Sequence, residues 1–178
     1  EMCIRDRKRT VMIELGILAD DLTGGMMVAS LLEREGVDCP LVTSVDELES
    51  LANSTATAVV VARKIRLIPA KDARKEAIKT VQALKSIGCK RFYYKYCATF
   101  DSTSQGNIGP IAEAMMEELD ASRTIFCPAF PEYTVTIFQG RMFLGNTPLG
   151  ESFKKNDPVT PMTSSNLVEV LASQTSQK

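Results

Sequence analysis

Apolar β-like runs alternating with helical patterns from Met12 onward predict an α/β domain with a mostly parallel sheet, flanking helices and an added β-hairpin. Two segments anchor that reading. Ala58 to Ala62, with three consecutive valines, suits a central strand buried on both faces. Pro69 to Ile87 opens on proline, carries Ala73, Ala77, Val81, Leu84 and Ile87 at helical spacing, and closes on Gly88.

The other elements follow in order. Ile13 to Ala19 reads as a first strand, and Thr23 to Glu35 as a helix ended by Gly36. Cys39 to Thr43 is a short second strand. Phe92 to Cys97 is a strand after the long helix, and Ile108, Ile111, Ala112, Met115 and Leu119 mark the next helix. Thr124 to Cys127 is expected to be a further strand. The alternating runs Val135 to Phe138 and Arg141 to Leu144, joined at Gln139-Gly140, form the hairpin. Leu149 to Ser165 is irregular, and Asn166 to Ala172 is helical again. Residues 1–11 are charged and lack an apolar signal-peptide core, so they read as a non-native or disordered lead to one domain over 12–178.

Composition narrows the function. The chain has 178 residues, 21 basic and 22 acidic, with a net charge of −1. No global field favours nucleic acid or an anionic membrane, and no apolar run is long enough to span one, so a small molecule is the expected partner. Oligomerisation with itself stays open. The 5 cysteines have no C-x-x-C spacing, and with no histidine a mixed zinc site and histidine-dependent nucleophilic catalysis are both excluded. Free thiols in apolar runs point to a reducing, cytoplasmic compartment, and the sequon at Asn53-Ser54-Thr55 is read as incidental.

In open α/β sheets ligands bind beyond the carboxyl ends of the strands, and three such positions are unusually polar. Asp20 and Asp21 precede Leu22-Thr23-Gly24-Gly25 at a helix start. Paired acids there can share a metal or leave one as a base, and the amide groups can meet an anion; the plain alternative is an acidic helix cap. Arg63-Lys64-Ile65-Arg66 follows the valine strand, poised to hold a carboxylate or phosphate unless it is merely a solvated basic loop. Tyr94 to Pro110 is dense in hydroxyls and contains Lys95, Asp101, Ser102, Thr103 and Asn107. A polyhydroxylated acid needs that mixture, a cation for its carboxylate and Asp, Ser, Thr or Asn for its hydroxyls. Gly145 to Ser152 nearly matches a phosphate-binding P-loop, but Glu151 stands where the lysine is required.

These motifs, ADDLTG at 19–24, KYCATFDST at 95–103, GNIGP at 106–110, CPAFPE at 127–132, FQG at 138–140 and TPM at 160–162, resemble in order the N-terminal domain of the four-carbon acid sugar kinases. The string around Asp101 is similar to the 3-oxo-tetronate kinase branch in particular. The resemblance implies the sugar-acid-binding half of a kinase that transfers the γ-phosphoryl of ATP to a C4 hydroxyl of 3-oxo-tetronate, erythronate or threonate. It places Asp20, Lys64, Arg66, Lys95, Ser102 and Thr103 around the substrate, with Asp21 or Asp101 as base. ATP and Mg²⁺ are expected on a C-terminal domain that this chain lacks, which would leave the chain alone inactive.

The departures are specific. The family's further aspartate is Met27, the serine of its K-S-R motif is Ile65, and its P-E-N-G-R-T becomes Pro131 to Thr136 with Val135 in place of arginine. Its Q-G-H ends here in Arg141, and its N-H-P has Asp157 at the centre. The alternative function is therefore a binding or regulatory module that keeps the fold without the chemistry.

Overall fold

The computed structural model describes residues 13–51 and 54–176. The expected lead and Asn53 of the sequon lie outside the described residues. A four-stranded parallel sheet has the order β2-β3-β1-β4, built from β1 (Leu15–Ala19), β2 (Leu41–Val42), β3 (Ala58–Ala62) and β4 (Arg91–Lys95). Side chains alternate across it, as pleating requires. Ile17, Ala19, Ala58, Val60 and Ala62 face one way, where Val28, Ala29 and Leu32 of α1 (Leu22–Arg34) cover them. Leu18 faces the other way, against Ala73, Ala77 and Val81 of α2 (Ala70–Ser86) and Ile111, Ala114 and Met115 of α3 (Ile108–Glu118). Every residue of β3 is buried, as a strand covered on both faces should be.

Close approach fixes where α1 sits. A β-carbon on Gly25 would lie 2.8 Å from the Ala62 β-carbon, so the helix start can press against β3 only with glycine there.

The hairpin forms as expected from β5 (Val135–Phe138) and β6 (Arg141–Leu144), pairing Val135 with Leu144 and Phe138 with Arg141. Gln139 and Gly140 both take positive φ, 48° and 74°, the backbone twist of a two-residue hairpin turn. A short β7 (Thr147–Pro148) adds to β6 as an edge, and a six-residue α4 (Leu167–Ala172) follows. Phe100, Ile108, Val135, Met142, Leu149, Met162 and Leu167 form one buried cluster that binds this unit to the sheet body.

One expected strand is absent. Thr124–Cys127 lies in no ladder, and Ile125 is 88% exposed. The segment lines a groove of about 850 Å³ with Phe92, Tyr94 and Met115 at the outer edge of β4, and local β-forming residues alone do not close the main-chain bonds that define a strand. Val45–Leu51, given no element by the sequence, is a 3-10 helix. No described helix is long and apolar enough to cross a membrane.

Candidate functional site

The strand ends converge. Asp20 N donates to the Lys95 carbonyl, Arg63 N to the Ala19 carbonyl and Ile65 N to the Asp20 carbonyl, so the turns after β1, β3 and β4 are tied together. Asn107, buried at the start of α3, donates its amide to the carbonyls of Ile65 at 2.8 Å, Arg66 at 3.1 Å and Ile68 at 2.7 Å. The sequence suggested a hydroxyl-binding group there. The side chain instead holds the loop that carries Arg66, and its Oδ1 is buried without a partner among the described residues.

Arg66 forks onto Asp20, donating from Nε to Oδ2 at 3.2 Å and from Nη2 to Oδ1 at 2.7 Å, and its Nη2 lies 3.1 Å from Asp21 Oδ2. Asp20 is 1% exposed, and burial pushes its carboxyl up against the downward pull of the guanidinium. The Tyr94 hydroxyl donates to Asp20 Oδ2 at 3.4 Å. Asp21 caps α1, its Oδ1 accepting from Gly24 N at 2.7 Å. Thus Asp20 and Asp21 do not stand as a bare acidic pair: one guanidinium engages both.

Lys95 closes the other side. Its Nζ donates to the Tyr96 carbonyl at 2.5 Å and takes part in none of the ion pairs found among the described residues. Burial lowers its pKa, while Cys97, Asp20 and Asp21 pull it back up. A β-carbon on Gly24 would sit 3.3 Å from this ammonium, so the glycine leaves it open to the cleft. A cation that burial penalises and no carboxylate neutralises is a ready partner for a ligand anion.

Asp21, Arg66 and Lys95 open into a cleft of about 310 Å³, with Cys97 and Thr99 beside them. Met27, Phe130, Val135, Leu144 and Phe153 form its apolar wall. Two departures from the family pattern, Met27 and Val135, therefore face the cleft. Thr134, at the family's glycine position, adopts a φ of 58°.

Asp101 sits on the next turn. Its Oδ1 accepts from the Thr99 hydroxyl at 2.7 Å and meets Lys154 Nζ at 2.8 Å, and Lys154 also reaches Asp157 Oδ2 at 2.8 Å. The preceding Phe100 has a φ of 55° and a buried ring, a backbone state uncommon for a bulky residue, which turns the chain so that Asp101 follows an aromatic anchor. Lys154 is 8% exposed and was not foreseen, because it lies in the irregular stretch where periodicity carries no signal. Its ammonium is held above the usual lysine range by Asp101 and Asp157 against the cost of burial, and Lys154 and two backbone amides hold the Asp157 carboxyl well below the usual carboxylate range.

The remaining sequence candidates lie elsewhere. Lys64 lines a separate depression with Arg63, Thr43 and Glu76. Ser102 is buried, and its Oγ accepts from Gln174 Nε2 at 2.6 Å, which also donates to the Thr103 carbonyl at 2.6 Å. Glu151, the mismatch in the P-loop-like run, ends a 3-10 turn whose Leu149 is buried in one cluster with Met142, rather than a phosphate cradle.

Three comparisons bear on this geometry. The family described as a sugar-binding N-terminal domain matches residues 15–178. A 3-oxo-tetronate kinase of Pseudomonas savastanoi is 44% identical over 92% of this chain, which spans 38% of that relative's length. A solved Haemophilus influenzae protein superposes with a TM-score of 0.84 at 39% identity, covering 92% of this chain and 39% of that one. A Bordetella bronchiseptica structure, a domain-swapped dimer with bound citrate, gives a TM-score of 0.75 at 30% identity over 89% of this chain and 39% of its own.

Proposed function

We propose, from the premise that this chain belongs to the sugar-binding N-terminal domain family, that it is the substrate-binding part of an ATP-dependent kinase acting on a four-carbon sugar acid. The observation that carries the proposal is the un-neutralised Lys95 ammonium in a cleft whose neighbouring cation, Arg66, is already held by two carboxylates. Lys95 takes the acid's carboxylate. The citrate bound by the Bordetella neighbour, also a hydroxy carboxylate, supports an anionic ligand of this kind.

Of the two candidate bases, Asp101 fits better. Both Asp21 oxygens are engaged, by Gly24 N and Arg66, whereas Asp101 Oδ2 lies outside the hydrogen bonds found among the described residues. Asp101 accepts the proton of the substrate C4 hydroxyl as that oxygen bonds to the γ-phosphorus of ATP and ADP departs. Asp20 and Asp21 do not fit a magnesium site, since Arg66 occupies both, and no group of three or more metal-capable side chains occurs among the described residues. We therefore assign ATP and Mg²⁺ to the part of the protein that corresponds to the rest of the relatives' length. Free thiols at Cys39, Cys89, Cys97 and Cys127 suit a cytoplasmic setting, and a homodimer like the Bordetella neighbour's is readable by size-exclusion chromatography.

The test fuses this chain to the C-terminal portion of the Pseudomonas relative and follows ADP release with 3-oxo-tetronate, D-erythronate and D-threonate. Turnover is expected from the fusion and none from the isolated chain. Asp101→Asn in the fusion should lower kcat by about 10²–10⁴-fold. ADP release by the chain alone, or an unchanged kcat in Asp101→Asn, refutes the assignment. Met27 and Val135 in the cleft favour a second reading, a binding module without turnover. That reading predicts a fusion that binds the acid and releases no ADP.

A further inference from the structure

The hydrogen-bonding groups of the cleft are largely occupied by one another. Arg66 engages Asp20 and Asp21, Asp21 Oδ1 accepts from Gly24 N, and the Thr99 hydroxyl donates to Asp101. Besides Lys95, that leaves the hydroxyls of Thr23, Tyr133 and Thr134, which enter none of the side-chain hydrogen bonds found among the described residues. Thr134 differs from the other two in its backbone. It ends the 3-10 turn Pro131–Tyr133 at a φ of 58°, its amide donating to the Pro131 carbonyl at 2.8 Å and its carbonyl accepting from Gly145 N at 2.8 Å. Both are main-chain bonds that glycine would make without the strain, so the turn itself gives no reason for a β-branched side chain. The cleft gives one. Phe130, Val135, Leu144 and Phe153 on the same side offer no polar side-chain atom, and a hydroxylated ligand lying against them meets the Thr134 hydroxyl.

We infer that Thr134 is a specificity residue, whose hydroxyl bonds the oxygen on C2 or C3 of the acid whose carboxylate Lys95 takes. The inference rests on the sugar-acid reading of the cleft and deepens it, adding a ligand contact that neither the charged groups nor Asp101 supply. A threonine hydroxyl both donates and accepts, so it serves a hydroxyl or an oxo group at that carbon. Strain held at a ligand-facing position, where the fold would be more stable with glycine, marks a side chain kept for what it binds.

Isothermal titration of the whole 178-residue chain tests this with D-erythronate, 2,4-dihydroxybutanoate and 3,4-dihydroxybutanoate, the latter two lacking the C3 and the C2 hydroxyl respectively. Thr134→Gly and Thr134→Ala should each weaken D-erythronate about fivefold, the worth of one neutral hydrogen bond, and leave one of the two deoxy acids unchanged. Thr134→Ser, which keeps the hydroxyl, should bind as the wild type does. Thr134→Gly should at the same time raise the urea midpoint, so that weaker binding by the more stable protein separates a ligand contact from a merely structural role. D-erythronate binding that Lys95→Met abolishes, but that the Thr134 variants keep within about twofold, overturns the inference and leaves the acid-binding reading standing. Equal losses for all three acids in Thr134→Gly and Thr134→Ala, or a loss in Thr134→Ser as large as theirs, also overturn it. Absence of binding by every acid overturns both.

Discussion

Replacing Arg66 with methionine strands the most deeply buried charge in the site. Among the described residues Asp20 would lose two side-chain hydrogen bonds and its ion-pair partner, keeping the 3.4 Å side-chain contact from Tyr94. Breaking a buried pair by deleting one partner costs roughly 3–5 kcal/mol, and because the Arg66 side chain is itself 21% exposed the low end, about 3 kcal/mol, is appropriate. For a chain of this size that lowers Tm by about 6–12 °C. The loss should also depend on pH in a definite sense. In the variant, burial raises the Asp20 carboxyl with no guanidinium to oppose it, so the folded state holds a proton more tightly than the unfolded state does. The deficit is therefore complete above the raised Asp20 value and shrinks as pH falls through it, because protonation removes the stranded charge. Urea denaturation of the wild type and Arg66→Met from pH 8 to pH 5, with Asp20→Asn and the double variant completing the cycle, reads both effects. The double variant should lose less than the sum of the singles, with a coupling of about 2 kcal/mol. A Tm within a degree of wild type at neutral pH, or a deficit that widens on acidification, would refute the reasoning.

Three further outcomes follow from named contacts. Lys154→Ala removes the charged partner shared by Asp101 and Asp157 and should cost about 2 kcal/mol in chemical denaturation, with Lys154→Arg recovering part of it. Thr134→Gly should stabilise by about 1 kcal/mol by releasing a β-branched residue from its positive φ, which a shift in the urea midpoint without a change in m would reveal. Because burial lowers Lys95, acid binding measured by calorimetry should weaken at a pH below the ordinary lysine range, and a flat profile up to pH 10 would contradict a Lys95–carboxylate contact.

The sheet body was legible because its signals are local. The valine run, the amphipathic spacing from Ala73 to Leu84 and the glycines at 36 and 88 each follow from neighbours a few residues away. Thr124–Cys127 shows the limit, since its composition is that of a strand while strand status depends on bonds to β4 that no local pattern encodes. At the site, the structure brings together three of the turns that the sequence singled out, with contacts that no local pattern encodes. Asp20, Asp21, Arg66 and Lys95 converge, yet Lys64 lies on the other side of the same loop, where Ile65 is buried and anchors it. Asn107 and Ser102 stood in a hydroxyl-rich run that suggested ligand contacts, and both are taken up by the protein's own groups. Lys154 escaped because its partner Asp101 is distant along the chain and sits in a different kind of segment.

The amide of Gln174 has a mechanical meaning. Its nitrogen reaches Ser102 Oγ and the Thr103 carbonyl, and its oxygen accepts from Gly109 N at 3.0 Å, so one side chain just past α4 grips both ends of the loop that follows Asp101. The fit requires glycine at 106, since a β-carbon there would fall 1.8 Å from Ser102 Oγ and 2.9 Å from Gln174 Nε2. The joint behaves as a rivet rather than a cushion. A force applied to the chain at Gln174 is delivered, with little slack, to Ser102, so displacement at the C-terminal end of the fold becomes reorientation of the turn beside Asp101.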